Sequence, residues 1–236
     1  MIATVILSVI LFAASARADE ASPVDLQQDI QLAQNKIRDI EIRSKERVKY
    51  TETKLEEAWH YTVDVVNKYA TDAYHVADLS LEKVNLLERK YIGEAIDKNK
   101  NINAFKCIVN VRKETNSEIM TARTACIDCI RTAWNKNYLE MDSMLEQVSA
   151  IQGATEGLYE YLYNSLQDCR DNECISKIVY MAEDRFSSLE KVLQRYLNRA
   201  WDLVSPFSQE LTQCTRLMES NCGTSVTNCE SKMKSC

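Results

Sequence analysis

The sequence predicts an all-α fold: an elongated, antiparallel three-helix bundle, coiled-coil-like, in which two of the helices form a disulfide-stapled hairpin. Three observations predict it. The chain of 236 residues holds only 4 Gly and 2 Pro, too few breakers for a fold of strands and tight turns. Apolar residues recur at steps of three and four over three long stretches, the signature of one buried helix face. All 9 cysteines follow residue 106, so covalent staples belong to the second and third stretches and the first must be held by packing alone.

The first stripe begins at Leu26 and Ile30 and runs through Ala33, Ile37, Ile40, Val48, Leu55, Trp59, Val63, Val66, Ala73, Ala77, Val84 and Leu87 to Tyr91. It predicts a cysteine-free amphipathic helix over 19–98, roughly 100 Å long at 1.5 Å per residue. "DKNKNIN", Asp97 to Asn103, reads as a turn. The stripe resumes at Ile102 and Phe105 and continues through Ile119, Cys126, Ile130, Met141 and Leu158 to Leu166. Gly153 and Gly157 fall off the stripe, each costing about 1 kcal/mol relative to Ala without forcing an end.

A second turn is predicted over 168–174, in "DCRDNEC". The third stripe runs from Ile175 through Phe186, Leu193, Phe207 and Leu211 to Met218. Pro206 lies inside it and predicts a kink or break after Val204 or Ser205, because proline lacks the amide donor and its ring crowds the preceding turn. The stapled hairpin is therefore expected over 102–220, followed at 221–236 by an irregular, cysteine-rich tail. The helical parts are expected to pack as one domain. The competing arrangement breaks the long stretches near Gly93, Gly153 and Pro206 into five or six shorter helices. Stripes that keep phase through those positions favour the unbroken form.

The N-terminus reads as a secretory signal peptide over 1–18. An apolar run from Ile2 to Ala14 precedes Ala16-Arg17-Ala18, an A-x-A cleavage pattern, and the run is too short to span a bilayer. No basic residue precedes the run, which is atypical. Cleavage would begin the exported chain at Asp19, and loss of Arg17 would move the net charge from −6 to about −7. An acidic chain without a basic stripe is a poor partner for nucleic acid or anionic lipid. No membrane anchor is expected. Localisation is expected to be extracellular, where cystine is the default state of cysteine.

The cysteines supply a ruler. In an antiparallel helical hairpin, facing residues have numbers that sum to a constant. Cys169 and Cys174 sum to 343, and so do Cys129 with Cys214 and Cys107 with Cys236. Facing helix positions meet the Cα separation of under 7 Å that a bridge needs. Nine cysteines allow many pairings, so sequence does not resolve connectivity. Cys126 with Cys222 is the natural fourth pair. That leaves Cys229 as a free or intermolecular thiol and raises a disulfide-linked homodimer.

Enzymatic chemistry is not expected. "CIDC", Cys126 to Cys129, has redox spacing but sits inside a helical stripe. A working dithiol occupies a helix N-terminus, where the dipole lowers the thiol pKa. A zinc site would need two further ligands that the sequence does not place nearby. His60 and His75, about 22 Å apart by rise on one helix, share no metal or substrate. No nucleophile elbow, zincin, P-loop or dinucleotide motif appears, and the many carboxylates read as solvated helix faces. No cofactor is implied. One constellation hints at a ligand: Trp59, Trp134, Tyr138 and Phe207 fall at one level of the bundle, opposite the expected Pro206 kink. An aromatic layer there would suit a small apolar ligand or lipid; an ordinary packed core explains it more simply.

Residues 107–236, with "CIDCI", "CRDNEC" and a cysteine-punctuated C-terminus on a helical background, resemble the insect secreted TsetseEP-type domain. The resemblance rests on cysteine distribution and covers about half the chain. The cysteine spacings depart from that pattern, and the first helix lies outside it. It implies a helical, exported, cysteine-bearing protein and carries over no catalytic residue.

The expected function is that of a structural or interaction module whose partner is a protein. A carrier of an apolar ligand is second, and a thiol–disulfide protein working through Cys126 and Cys129 third. N-terminal sequencing of protein harvested from the medium of expressing cells should begin at Asp19; a chain retained in cells with Met1 intact would overturn the export expectation.

Overall fold

The computed structural model describes residues 23–236, so the expected signal peptide at 1–18 lies outside the described residues. Three helices, α1 (Pro23–Asp97), α2 (Ile102–Gln167) and α3 (Asn172–Ser235), pack against each other as an all-α bundle. There is no strand among the described residues.

Buried positions along α1 advance as Val48, Thr51, Leu55, Ala58 and Thr62, and later as Ala73, Ala77, Ser80 and Val84. Threes and fours alternate with extra fours, giving a mean step of about 3.6, the natural period of a straight α-helix. The buried face therefore stays on one side over many turns, which is why Gly93 and Gly153 do not end their helices. An added Cβ would meet nothing within 4 Å at either glycine, so neither serves a close approach.

Both turns are written in local chemistry. Asn99 takes the left-handed conformation, φ 50°, which asparagine tolerates better than most residues. Around it the Lys100 amide donates to the Ala95 carbonyl (2.9 Å) and the Asn99 amide to that of Ile96 (3.0 Å). This is the paired C-terminal closure of a Schellman motif. Two residues on, the Asn101 side-chain oxygen accepts from the Asn103 amide at 2.9 Å and caps α2. At the second turn the Asp171 carboxylate accepts from the Cys174 amide at 2.7 Å, placing a negative charge at the N-terminus of α3 where the helix dipole favours it.

The chain forms two compact units. The first combines α1 as far as Lys45 with Gly153–Leu189. Its core holds Ile37, Ile40, Leu162 and Leu166 around Tyr159. The Tyr159 hydroxyl shares a hydrogen bond of 2.6 Å with the buried Ser44 hydroxyl, and the Tyr163 hydroxyl donates to Glu41 at 3.0 Å. Burial pushes the Glu41 carboxyl up, but hydrogen bonds from Lys45 and Tyr163 and the charges of Lys45 and Arg38 outweigh it and hold the group below its ordinary value.

The second unit combines Glu46–Gln152 with Glu190–Cys236. Its buried cluster includes Ile108, Ile119, Ile130, Phe207, Leu211 and Met218. Here α1 contributes Thr51, Ala58, Thr62, Ala73, Ala77, Ser80 and Ala95, with Val48, Leu55, Val84 and Tyr91 as its larger buried side chains. The buried hydroxyls are satisfied within their own helix: Thr51 donates to the Arg47 carbonyl, Thr62 to Ala58, Ser80 to Val76 and Thr115 to Val111. These hydroxyls can therefore sit in the core with their donors paired. Between α2 and α3 the polar pairs Tyr196–Gln147 (2.7 Å) and Lys136–Glu210 (3.6 Å) keep the antiparallel register of the cystines.

The break expected at Pro206 and the irregular tail expected after Ser220 are both corrected here. Pro206 neither splits nor ends α3, which runs through it. Proline removes one bond, that to the Asp202 carbonyl, and both residues lie exposed, where water replaces the donor, while Ala200, Phe207 and Leu211 around it are buried. The apolar face outweighs the single lost bond. Residues 221–236 are not an irregular tail: α3 reaches Ser235. Cys222, Cys229 and Cys236 fall at intervals of seven, with Met218 and Met233 on the same buried stripe, and that stripe overrides the Asn, Gly and Thr between them.

Pro206→Ala should restore the missing bond and raise stability by about 1–3 kcal/mol. Urea melts followed by circular dichroism would register an upward midpoint; an unchanged or lower midpoint would mean that α3 needs the proline.

Candidate functional site

The chemistry-bearing groups of the second unit are its cysteines. Cys129 on α2 is bridged to Cys214 on α3 with Cα atoms 5.9 Å apart, and Cys107 is bridged to Cys236 at 5.8 Å. In the first unit Cys169 and Cys174 close the α2–α3 turn at 5.5 Å. All three pairs lie on the register that the sequence specified.

The fourth pair does not form. Cys126, Cys222 and Cys229 are buried thiols. With the register fixed by the bridges, the residue level with Cys126 on α3 is the exposed Leu217, and Cys222 lies five residues beyond it. That offset is roughly 7.5 Å of helix rise, which added to the spacing between helices exceeds bridging range. The Cys229 thiol is fully buried, so in this fold it offers no sulfur to a second chain.

Two of the three thiols have a hydroxyl beside them. Cys222 meets the Ser80 hydroxyl and Cys229 that of Thr115. Burial pushes all three thiols above their ordinary value; at Cys126 the neighbouring Cys222 adds to the rise. A working redox cysteine needs the opposite shift. The C-x-x-C is thus divided: Cys129 is a bridge and Cys126 a protonated core residue.

The aromatic expectation is met in part. Trp59 lies 5.3 Å from Trp134 and 4.9 Å from Tyr138, ring centre to ring centre, and Trp134 lies 5.9 Å from Tyr138. The tilted rings touch one another, as aromatic groups prefer. Phe207 is buried in the core cluster against which Trp134 packs. His60 and His75 are exposed. Among the described residues no group of three or more His, Cys, Asp or Glu is arranged to hold a metal ion.

A surface feature escaped the sequence reading. In the first unit a groove of about 510 Å³ runs between α1 and α3, with Leu32, Ala33, Ile175, Val179 and Tyr180 along it and Lys36 and Glu183 at its edge. Leu32 is 60% and Tyr180 68% exposed. Lys36 and Glu183 are paired across the rim at 2.7 Å. The signal was present but faint: Leu32 sits one residue and Tyr180 two residues off the buried stripes, at levels that coincide only once α1 and α3 are aligned. A second groove of about 400 Å³, in the second unit, is lined by Leu139, Met144, Tyr196 and the ion-paired Arg199 and Glu140.

No family model, no curated protein and no solved structure matches this chain.

Native protein treated with iodoacetamide should leave Cys126, Cys222 and Cys229 unmodified, whereas all three should react when urea unfolds the chain with excess iodoacetamide already present to cap each thiol before it can exchange. Modification of any of them in the folded state, read by peptide mass, would contradict their burial.

Proposed function

We propose that this protein is an exported, non-enzymatic helical module that works by offering a surface to a partner protein. The groove of the first unit carries the reading. A Leu and a Tyr, each more than half exposed beside further apolar side chains, leave apolar area in water, and covering it with a partner would remove that area from solvent. The apolar leader with its A-x-A pattern and the three cystines support export and an extracellular location. The resemblance of residues 107–236 to TsetseEP-type domains points the same way. The reading requires no cofactor or metal, and the net charge of −6 argues against nucleic acid as the partner. No helix among the described residues is long and apolar enough to cross a membrane.

A second reading, a carrier of a small apolar ligand, rests on the contact of Trp59, Trp134 and Tyr138. It stands second because the rings fill one another's faces, the space a ligand would take. A thiol–disulfide enzyme is third, since Cys126 is buried and Cys129 is engaged.

The test is cross-linking in native medium with wild type and with Leu32→Glu combined with Tyr180→Glu. Both sites are exposed, so circular dichroism should be unchanged. A defined protein cross-linked to wild type should be lost or reduced at least tenfold in the variant. Identical cross-linked species from both proteins would sink the groove as the partner site. Native mass spectrometry of the same preparation should show the bare chain mass; a co-purified lipid lost on Trp134→Ala would favour the carrier instead.

A further inference from the structure

We propose that Cys126, Cys129 and Cys214 form a thiol–disulfide isomerisation switch in which the Cys126 sulfur displaces Cys214 from Cys129, exchanging the α2–α3 staple for a bridge within α2. This goes beyond the interaction reading and does not depend on it.

The geometry rests on Cys129 having two cysteines in bridging range. Across the helix pair, Cys214 lies 5.9 Å away between Cα atoms. Along α2, Cys126 precedes Cys129 by three residues inside one continuous helix. At 1.5 Å rise and 100° per residue, positions i and i+3 place their Cα atoms about 5 Å apart, within the 4.4–6.8 Å that cystines use. Only one of the two bonds can exist at a time. No other thiol has this relation to a bridge: Cys222 is seven residues from Cys229, which is seven from Cys236, and i, i+7 positions lie roughly 10 Å apart.

Burial decides which bond is present in the folded state. Cys126 is 3% exposed, and burial holds its sulfur protonated, so the nucleophile is withheld. Cys129 itself lies exposed at the edge of the helix pair. Local opening of the second unit would bring water to Cys126, let it ionise, and start the exchange. The step balances without an outside reagent. Cys126 loses its proton to water, the Cys126–Cys129 bond forms as the Cys129–Cys214 bond breaks, and Cys214 leaves as a thiolate that takes a proton from water. One disulfide replaces another, so nothing is oxidised or reduced overall. The product keeps Cys107–Cys236 but has lost the inner staple, so a transient opening becomes a covalent record.

The experiment uses the full oxidised chain, held at about pH 8.5, where a solvated thiol is about half ionised, in urea below the unfolding midpoint. Samples are quenched with acid, alkylated and digested with trypsin. Cys126 and Cys129 share one tryptic peptide, Thr124–Arg131. The switch predicts this peptide unlinked and lighter by a pair of hydrogens, together with alkylated Cys214, at a rate independent of protein concentration. Cys126→Ser and Cys126→Ala should each release Cys214 at least tenfold more slowly, while Cys222→Ser should leave the rate unchanged. Survival of Cys129–Cys214 in the wild type under these conditions would overturn the proposal. So would equal release of Cys214 in the Cys126 variants, or products bridged only between chains.

Discussion

Two cystines tie α2 to α3 at points about 22 residues apart on each helix, roughly 33 Å of rise. Cys107–Cys236 holds the end where α2 begins and α3 finishes, and Cys129–Cys214 repeats the tie further along. Two points fix a line, so every residue between them has an assigned mate and neither helix can slip. The bridges span 129 and 85 residues of sequence. Each alone would remove about 4–5 kcal/mol of chain entropy from the unfolded state in the loop-closure account. Their loops are nested, so the two contributions do not add. Other contacts inherit this register, including the failure of Cys126 and Cys222 to meet.

Against that stapled pair, α1 is held by a different kind of force. It has no cysteine, and in the second unit most of its buried side chains are Ala, Ser or Thr. Small residues contribute little apolar area of their own but let the larger groups of α2 and α3 fill the space between helices. Specificity along α1 comes from sparse polar contacts within each unit. In the first unit Ser44 meets Tyr159 and Glu41 meets Tyr163; in the second Tyr69 meets Thr212 at 2.7 Å. Buried hydroxyls that already bond their own backbone carry no penalty for remaining in the core, yet penalise a shifted register that would bring them against unpaired groups.

The same burial that stabilises the second unit silences its chemistry. Three thiols kept protonated in the core are inert toward solvent oxidants, whereas a thiol at a helix N-terminus would be reactive. Among the exposed apolar side chains, Leu32 and Tyr180 lie beside one groove of the first unit.

By itself the sequence determined the helical class, the number of helices and both turns, and it offered the three bridges as one register among many possible pairings. Each depends on local rules or on one counting relation: periodic stripes, asparagine and aspartate caps, and mirror positions in a hairpin. Tertiary structure decided the rest, because there packing energy competes with local preference. Pro206 and the Asn-, Gly- and Thr-bearing stretch after Ser220 both argue locally against helix, yet α3 runs through them, since a continuous buried stripe outweighs one lost hydrogen bond or a few weak propensities. Cys126 and Cys222 are natural partners by elimination, yet they stay apart because a register fixed elsewhere sets them five residues out of line. Leu32 and Tyr180 acquire a shared groove only when two helices distant in sequence lie side by side, a relation that no stretch of chain contains on its own.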